Sequence, residues 1–204
     1  MILDEHKLIF IHIPKNAGTS IESIFLTEEY RKKYPVKIIE RHATIYDVKD
    51  KFPEKYDLYI KFAVIRNPYE RMVSWYCYVK QIVSEYNSRN MLYPEKIVNW
   101  NYTFLNFLNE PEKLTEIATE SVGLKTNYNK LFKLQNTWVD NSVRIIKYEN
   151  LNEVFFKLFK VNLPIKNKTI RDNYLNYYDK ETLDIVYNKY KKDFEIYKYK
   201  RIIK

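Results

Sequence analysis

Residues 14–20 (PKNAGTS) combine the chemical groups that proteins use to hold a phosphate. They follow an almost unbroken apolar run at residues 7–13 (KLIFIHI), and the pattern of an amphipathic helix begins directly after them. A glycine lets backbone amides converge on an anion, and the start of a helix adds its positive dipole end. The sequence therefore predicts a phosphate cradle that includes Asn16 and Ala17. Its main groups are the amine of Lys15, the backbone of Gly18 and the hydroxyls of Thr19 and Ser20.

The same residues allow a plainer interpretation, because Thr19 and Glu22 have the spacing of a helix capping box. Lys15 would then be a solvated cation. A nucleoside-triphosphate P-loop fits less well, since it requires G-x-x-x-x-G-K-[S/T]. Here Lys15 precedes Gly18, and the first glycine is missing. An ordinary kinase or ATPase is therefore disfavoured, while the phosphate cradle and the capping box both stay open.

A second group of candidate anion ligands follows another apolar run, residues 59–65 (YIKFAVI). Arg66 comes directly after this run, and Ser74 lies two turns into the helix predicted next, with Arg71 one turn before it. An arginine can bind a phosphate through two parallel hydrogen bonds. A structural arginine and a solvated serine are the ordinary alternative. Two anion sites at one edge of a sheet would suit a ligand with a phosphate at each end.

The order of apolar and amphipathic segments predicts the elements that position these residues. Strands are predicted at residues 7–13, 36–39, 59–65 and 143–148, the first and third of them buried, with helical patterns between them and after the last, including one capped by Asp179. Strands that alternate with helices indicate an α/β domain with a mainly parallel sheet. In such sheets ligands bind beyond the carboxyl ends of the strands, which is where both candidate anion sites fall.

Composition narrows the classes of protein. The chain has 204 residues, 35 Lys and Arg against 26 Asp and Glu, and a formal charge of +9, which favours an anionic partner such as nucleic acid, a phosphorylated cofactor or an acidic glycan. The single cysteine, Cys77, excludes an internal disulfide and a Cys-rich zinc site. No long uncharged apolar run is present, so neither a signal peptide nor a stable membrane insertion is predicted, and a cytoplasmic location is the default expectation.

Residues 10–20 (FIHIPKNAGTS) and 64–74 (VIRNPYERMVS) together resemble the motifs of the Golgi-type carbohydrate sulfotransferases and their bacterial relatives. The resemblance implies a P-loop-like three-layer fold with a mainly parallel central sheet flanked by helices. It also implies the cofactor 3′-phosphoadenosine 5′-phosphosulfate (PAPS), which leaves as 3′-phosphoadenosine 5′-phosphate (PAP). In that family the first motif binds the 5′-phosphosulfate. The second, an arginine followed eight residues later by a serine, holds the 3′-phosphate, and Arg66 and Ser74 have this spacing.

The resemblance covers nearly the whole chain and implies a single domain over residues 1–204. It extends to residues 148–151 (YENL) and to the segment from 173 to 197. By the same resemblance, Lys168 and Arg171 fall in a segment that folds over the nucleotide, although a solvated basic loop is equally compatible. The match is weak at residues 85–138, which we expect to form a helical and loop insertion on the acceptor side.

Sulfuryl transfer needs charge neutralisation and a general base, and no metal is expected. Lys15 is the candidate that stabilises the departing 5′-phosphate. His42 follows the second predicted strand, in a place comparable to the catalytic histidine of the heparan sulfate 2-O-sulfotransferase branch, and is the candidate base. His12 is expected to be a buried, hydrogen-bonded residue and His6 a surface residue.

The sequence thus predicts an enzyme that transfers a sulfuryl group from PAPS to a carbohydrate or glycan hydroxyl, with no nucleic-acid partner. The acceptor and the oligomeric state are not predicted. One alternative is a non-catalytic basic module that binds nucleic acid or an acidic glycan, supported by the charge and the many aromatic residues. The other is a P-loop kinase, which the order of Lys15 and Gly18 opposes.

Overall fold

The computed structural model describes residues 1–34, 36–37, 39–40, 42–122, 132–164, 166 and 171–204. Its chain divides into two compact units. The first comprises Met1–Asn67 and Leu134–Lys168, and the second comprises Pro68–Lys133 and Thr169–Lys204. The candidate residues of the first anion site and Arg66 belong to the first unit, whereas Ser74 and Arg171 belong to the second.

The first unit contains a five-stranded sheet of order β3-β1-β2-β4-β5. Its strands are β1 (Ile2–Leu3), β2 (Leu8–Ile11), β3 (Val36–Lys37), β4 (Ile60–Ile65) and β5 (Val143–Lys147). The pairs β2–β4 and β4–β5 are parallel, so the carboxyl ends of these three strands lie at one edge. This edge carries Arg66 and the loop that follows β2.

The prediction of a mainly parallel sheet is only partly right, because β1 pairs antiparallel with both β2 and β3. Residues 4–7 turn the chain tightly between β1 and β2, with the Lys7 amide donating to the Asp4 carbonyl at 3.2 Å and Lys7 at φ 49°. A two-residue strand shows no alternation of apolar and polar positions, so sequence periodicity could not identify β1. The sheet is mixed, with two parallel and two antiparallel pairs.

Helices flank the sheet in the first unit and form most of the second. The first unit has α1 (Gly18–Phe25), α2 (Glu28–Lys33), α3 (Ile45–Lys51), α4 (Pro53–Leu58) and α8 (Leu151–Phe159). The second has α5 (Pro68–Arg89), α6 (Phe104–Asn109), α7 (Pro111–Ser121) and α9 (Lys180–Tyr197). The predicted cap of the last helix is confirmed, since the Asp179 carboxylate accepts from the Thr182 amide. None of the helices in these described ranges is both long and apolar enough to cross a membrane.

One apolar cluster packs strands β2 and β4 against helices α1 and α8 in the first unit. Phe10 of β2 and Phe62 of β4 lie side by side, with their ring centroids 5.1 Å apart, and both are almost fully buried. Helices α1 and α8 cover them with Ile21, Phe25, Leu151 and Phe155. Burial of this many large apolar side chains fixes the register of β2 against β4, and hence the relative position of the two loops at their carboxyl ends.

The second unit has its own core around the long helix α5. The ring of Tyr69 packs between those of Tyr178 and Phe194, at centroid distances of 5.3 and 4.8 Å. Arg71 is buried, its Nη1 donates to the Lys133 carbonyl at 3.1 Å, and burial lowers the pKa of its guanidinium. Arg71 is therefore a structural residue inside this unit, not an exposed partner for a phosphate.

Candidate active site

The loop after β2 has an unusual backbone that prepares the start of α1. Lys15 and Ala17 both adopt the left-handed conformation, at φ 66° and 62°, and α1 begins at Gly18 with Ala17 as its N-cap. Ala17 makes no side-chain capping hydrogen bond, and Thr19 lies inside the helix instead of at its N-cap. The capping-box interpretation of Thr19 and Glu22 is therefore wrong. Amides at the first turn of a helix require acceptors, and an anion can supply them.

Gly18 is required because the His12 imidazole lies directly against it. A Cβ atom at position 18 would lie 2.0 Å from both Cδ2 and Nε2 of His12, far inside van der Waals contact. His12 follows the last residue of β2 and is itself buried. The glycine thus permits the close approach of a side chain as well as any approach of a ligand to the backbone.

Gln135 ties the loop after β2 to the end of β4, and the sequence analysis missed it. Its side chain is fully buried, and its Oε1 accepts from Asn16 Nδ2 at 2.7 Å and from the Arg66 amide at 2.9 Å. Its Nε2 donates to the Arg66 carbonyl at 2.9 Å. Asn16 Nδ2 also donates to the Val64 carbonyl at 2.7 Å. Gln135 lies in a short 3-10 turn, Gln135–Trp138, within the stretch where the sequence shows no clear pattern.

Arg66 is held beside the same loop by its side chain. Its Nη1 donates to the Lys15 carbonyl at 3.2 Å, and its guanidinium carbon lies 4.0 Å above the centroid of the Tyr148 ring. Only 5 % of Arg66 is exposed. A stacked, nearly buried guanidinium keeps its orientation, as two-point recognition of a phosphate requires. The structure thus brings Arg66 together with Lys15 and Asn16.

Ser20 connects α1 to the linker that precedes the C-terminal helix. It is buried, and its hydroxyl oxygen accepts from the Lys166 amide at 3.0 Å. This contact attaches the linker to the first turn of α1. Lys168, two residues further on, lies outside the described residues.

Two of the predicted nucleotide-binding residues, Ser74 and Arg171, belong to the second unit. Ser74 is buried on α5. Arg171 forms an ion pair with Glu70, with 3.0 Å between Nη2 and Oε1, and its side chain is 15 % exposed. Arg171 therefore already has a carboxylate partner within its own unit.

His42 and His12 are neighbours in the first unit. Their ring centroids are 4.5 Å apart at an interplanar angle of 67°, and His42 Nδ1 lies 3.1 Å from the His12 carbonyl oxygen. His12 Nδ1 lies 2.6 Å from Glu22 Oε1, as expected of a buried, hydrogen-bonded histidine. A cavity of about 20 Å³ borders both rings. His6 is exposed, as predicted. Among the described residues no three His, Cys, Asp or Glu side chains lie together as metal ligands.

The comparison with protein families agrees with the predicted resemblance. A model of the sulfotransferase family matches residues 1–200, nearly the whole chain and both predicted phosphate motifs. Neither curated proteins nor solved structures give a match. Because this model matches almost the full length of the chain, the chain belongs to the sulfotransferase family.

Proposed function

We propose that the protein transfers a sulfuryl group from PAPS to the hydroxyl of a carbohydrate acceptor, on a P-loop-like α/β fold. The observation that carries this proposal is the joining of the loop after β2 to Arg66 through Gln135 and the Lys15 carbonyl. One cationic loop and one oriented arginine at the same sheet edge suit a nucleotide with phosphate groups at its 5′ and 3′ positions. Membership of the sulfotransferase family supports the reaction class.

The loop after β2 would hold the 5′-phosphosulfate. The acceptor oxygen attacks the sulfur in line, the bond from sulfur to the phosphate oxygen breaks, and PAP leaves with the added negative charge. Lys15 and the first amides of α1 would neutralise this charge, and Thr19 and Ser20 would donate hydrogen bonds. Pre-positioned donors of this kind act mainly by stabilising charge that develops in the transition state.

Arg66 would bind the 3′-phosphate through its planar guanidinium. Its stacking on Tyr148 and its hydrogen bond to the Lys15 carbonyl restrict its rotation, which lowers the entropy lost on binding. Ser74, Lys168 and Arg171 are proposed as further nucleotide contacts. To bind the nucleotide, the Arg171 guanidinium would have to contact a phosphate while still paired with Glu70, or leave Glu70.

His42 would be the general base. A carbonyl oxygen can only accept a hydrogen bond, so the contact from His42 Nδ1 to the His12 carbonyl places the proton of a neutral ring on Nδ1. The lone pair then lies on Nε2, where it can take the proton of the acceptor hydroxyl. His42→Ala should lower turnover by roughly 10²–10⁴-fold, the usual contribution of a general base, and leave PAP binding nearly intact.

Thermal shift with PAP, ATP and a DNA oligonucleotide in parallel separates the candidate functions. A ligand that binds only the folded state raises the melting temperature by mass action. We expect stabilisation by PAP in preference to ATP and DNA, followed by ³⁵S transfer from labelled PAPS to at least one member of a panel of neutral and acidic oligosaccharides. Stabilisation by ATP or DNA but not by PAP would contradict the proposal, and a His42→Ala variant with full activity would exclude His42 as the base.

A further inference from the structure

A buried chain of polar contacts lies behind the proposed base. Glu22, on the inner side of α1, has its Oε1 2.6 Å from Nδ1 of His12, and both side chains are mostly buried, at 18 % and 8 % exposure. His12 in turn contacts His42 through its backbone carbonyl and its ring. Neither Glu22 nor His12 has a part in holding the nucleotide as described above. Their contacts lead to His42 instead.

The first contact orients His12. A carboxylate accepts two or more hydrogen bonds, and a donor hydrogen bond to it from a ring N–H is short and about twice as strong as a neutral one. The imidazole is also stacked on Phe10, at a centroid distance of 5.8 Å, and packs against Gly18. His12 is therefore fixed from three sides by α1 and β2.

The second contact orients His42. Its Nδ1 must donate to the His12 carbonyl, and its ring meets the His12 ring edge to face at 4.5 Å. His42 itself has a left-handed backbone, at φ 67°, which an L-residue adopts only when its surroundings compensate the strain. A shift of the His12 ring would therefore remove part of what holds His42.

Other titratable residues line the cavity beside the His12 and His42 rings. The residues that line it include Glu22, Glu40, His12, His42 and Met1, whose backbone amine is the chain's terminal one. That amine donates to the Phe10 carbonyl at 2.9 Å, and its pKa is lowered to about 6 by burial although Glu22 acts in the opposite direction. Glu22 is the carboxylate that hydrogen-bonds to the His12 ring, with 2.6 Å between Oε1 and Nδ1.

We propose that Glu22 is a positioning residue of the sulfuryl transfer. Its carboxylate holds the His12 imidazole, and His12 holds the Nδ1 side of the His42 ring through its backbone carbonyl. This inference rests on the proposed function, because it assumes that His42 receives the acceptor proton. Glu22 exchanges no proton with the substrate, and its effect should pass entirely through His42.

Two variants of Glu22 measure the effect. Glu22→Ala should lower kcat by about 10–100-fold, the usual range for a group that orients a reacting side chain at one remove, and change the KM for PAPS less than about twofold. Glu22→Gln should retain intermediate activity, because its amide oxygen still accepts from His12. Glu28→Gln is the matched control, since Glu28 is an exposed residue of α2 paired only with Lys32 in the described structure. The rate is ³⁵S transfer from labelled PAPS to the best acceptor of the panel, or to water where no glycan is sulfated.

A double-mutant cycle separates positioning from general stability. If Glu22 acts through His42, the variant with both Glu22→Ala and His42→Ala should be as slow as His42→Ala alone, within about twofold. The proposal would be overturned if the two losses in rate multiplied in the double variant. It would also be overturned if the PAP dissociation constant of Glu22→Ala rose by the same factor as its kcat fell. Full activity of Glu22→Ala would overturn it as well.

A second measurement tests the same contacts without any activity. In protein labelled with ¹⁵N-histidine, assigned with His6→Asn and His42→Asn variants, neutral His42 should carry its proton on Nδ1, and Glu22→Ala should shift this tautomer balance. A proton on Nε2 in the wild type, or an unchanged balance in Glu22→Ala, would contradict the inference. If the wild type neither binds PAP nor transfers sulfate, the proposed function fails, while the tautomer result still decides whether Glu22 positions His42.

Discussion

Replacing Gln135 with alanine removes at least three hydrogen bonds between described residues of the first unit. The lost bonds include those to Asn16 Nδ2, to the Arg66 amide and to the Arg66 carbonyl. Asn16 keeps its second bond, to the Val64 carbonyl, but both backbone groups of Arg66 lose a partner in a part of the chain that is almost fully buried. The loop after β2 then loses its connection through Gln135 and keeps those from Asn16 to the Val64 carbonyl and from Arg66 to the Lys15 carbonyl.

The cost follows from these groups. A buried donor or acceptor that loses its partner costs about 1–3 kcal/mol, so the two backbone groups of Arg66 together give about 2–6 kcal/mol. A water molecule that enters the vacated space offsets part of this, and we expect a loss of about 3 kcal/mol. For a chain of this length that corresponds to a melting temperature about 6–12 °C lower. Because the loop also carries Lys15, PAP affinity should fall with it.

Differential scanning fluorimetry and urea unfolding measure the stability, and calorimetric titration with PAP measures the affinity. Gln81→Ala is the control, since Gln81 makes a surface hydrogen bond to Glu85 on α5 and its loss should stay within about 0.5 kcal/mol. A Gln135→Ala protein that melts within about 2 °C of the wild type and binds PAP equally well would refute the role given to Gln135.

Three further predictions concern single residues of the first unit. Gly18→Ala should destabilise the protein by at least about 1–3 kcal/mol, because its Cβ would overlap the His12 ring, and adding His12→Ala should recover part of the loss in urea unfolding. Arg66→Ala should raise the PAP dissociation constant about 10–100-fold. Arg66→Lys should recover only part of the affinity, because an ammonium group cannot form two parallel hydrogen bonds to a phosphate. An unchanged dissociation constant in Arg66→Ala would exclude Arg66 from the 3′-phosphate site. Asp4 has a pKa lowered mainly by the hydrogen bond from Lys55, so its stabilisation is present above about pH 4 and lost as the pH falls further. Asp4→Asn should therefore lower stability at pH 7 and flatten the loss below pH 4, and a parallel displacement of the whole pH curve would contradict this assignment.

Long, strongly patterned elements could be predicted from the sequence. The apolar runs at the start of the chain and before Arg66 became the largely buried strands β2 and β4, and α5 and α8 repeat apolar residues at helical spacing. These features are local, and they place Lys15 and Arg66 at strand ends. The two-residue β1 has no such pattern, so the antiparallel part of the sheet was missed.

The contacts that complete the candidate site could not be predicted, because they join residues far apart in the sequence. Gln135 is 119 positions from Asn16, and nothing in its neighbours indicates that its side chain is buried. Glu22 has the correct spacing for a cap with Thr19, so local rules allowed that role, but its carboxylate bonds to His12 instead. The nucleotide roles of Lys15, Arg66 and Ser74 stay predictions.

The interrupted course of the first unit has a consequence for biosynthesis. The chain leaves this unit after Asn67 and returns at Leu134, so a nascent polypeptide has β2 and β4 outside the ribosome long before β5 and Gln135 are made. Closing so long a loop is entropically costly and slow relative to local contacts. Until translation passes residue 147, the apolar edge of β4 that later pairs with β5 stays open. The time between the synthesis of β4 and the synthesis of β5 is therefore the period when the nascent chain most needs protection from aggregation.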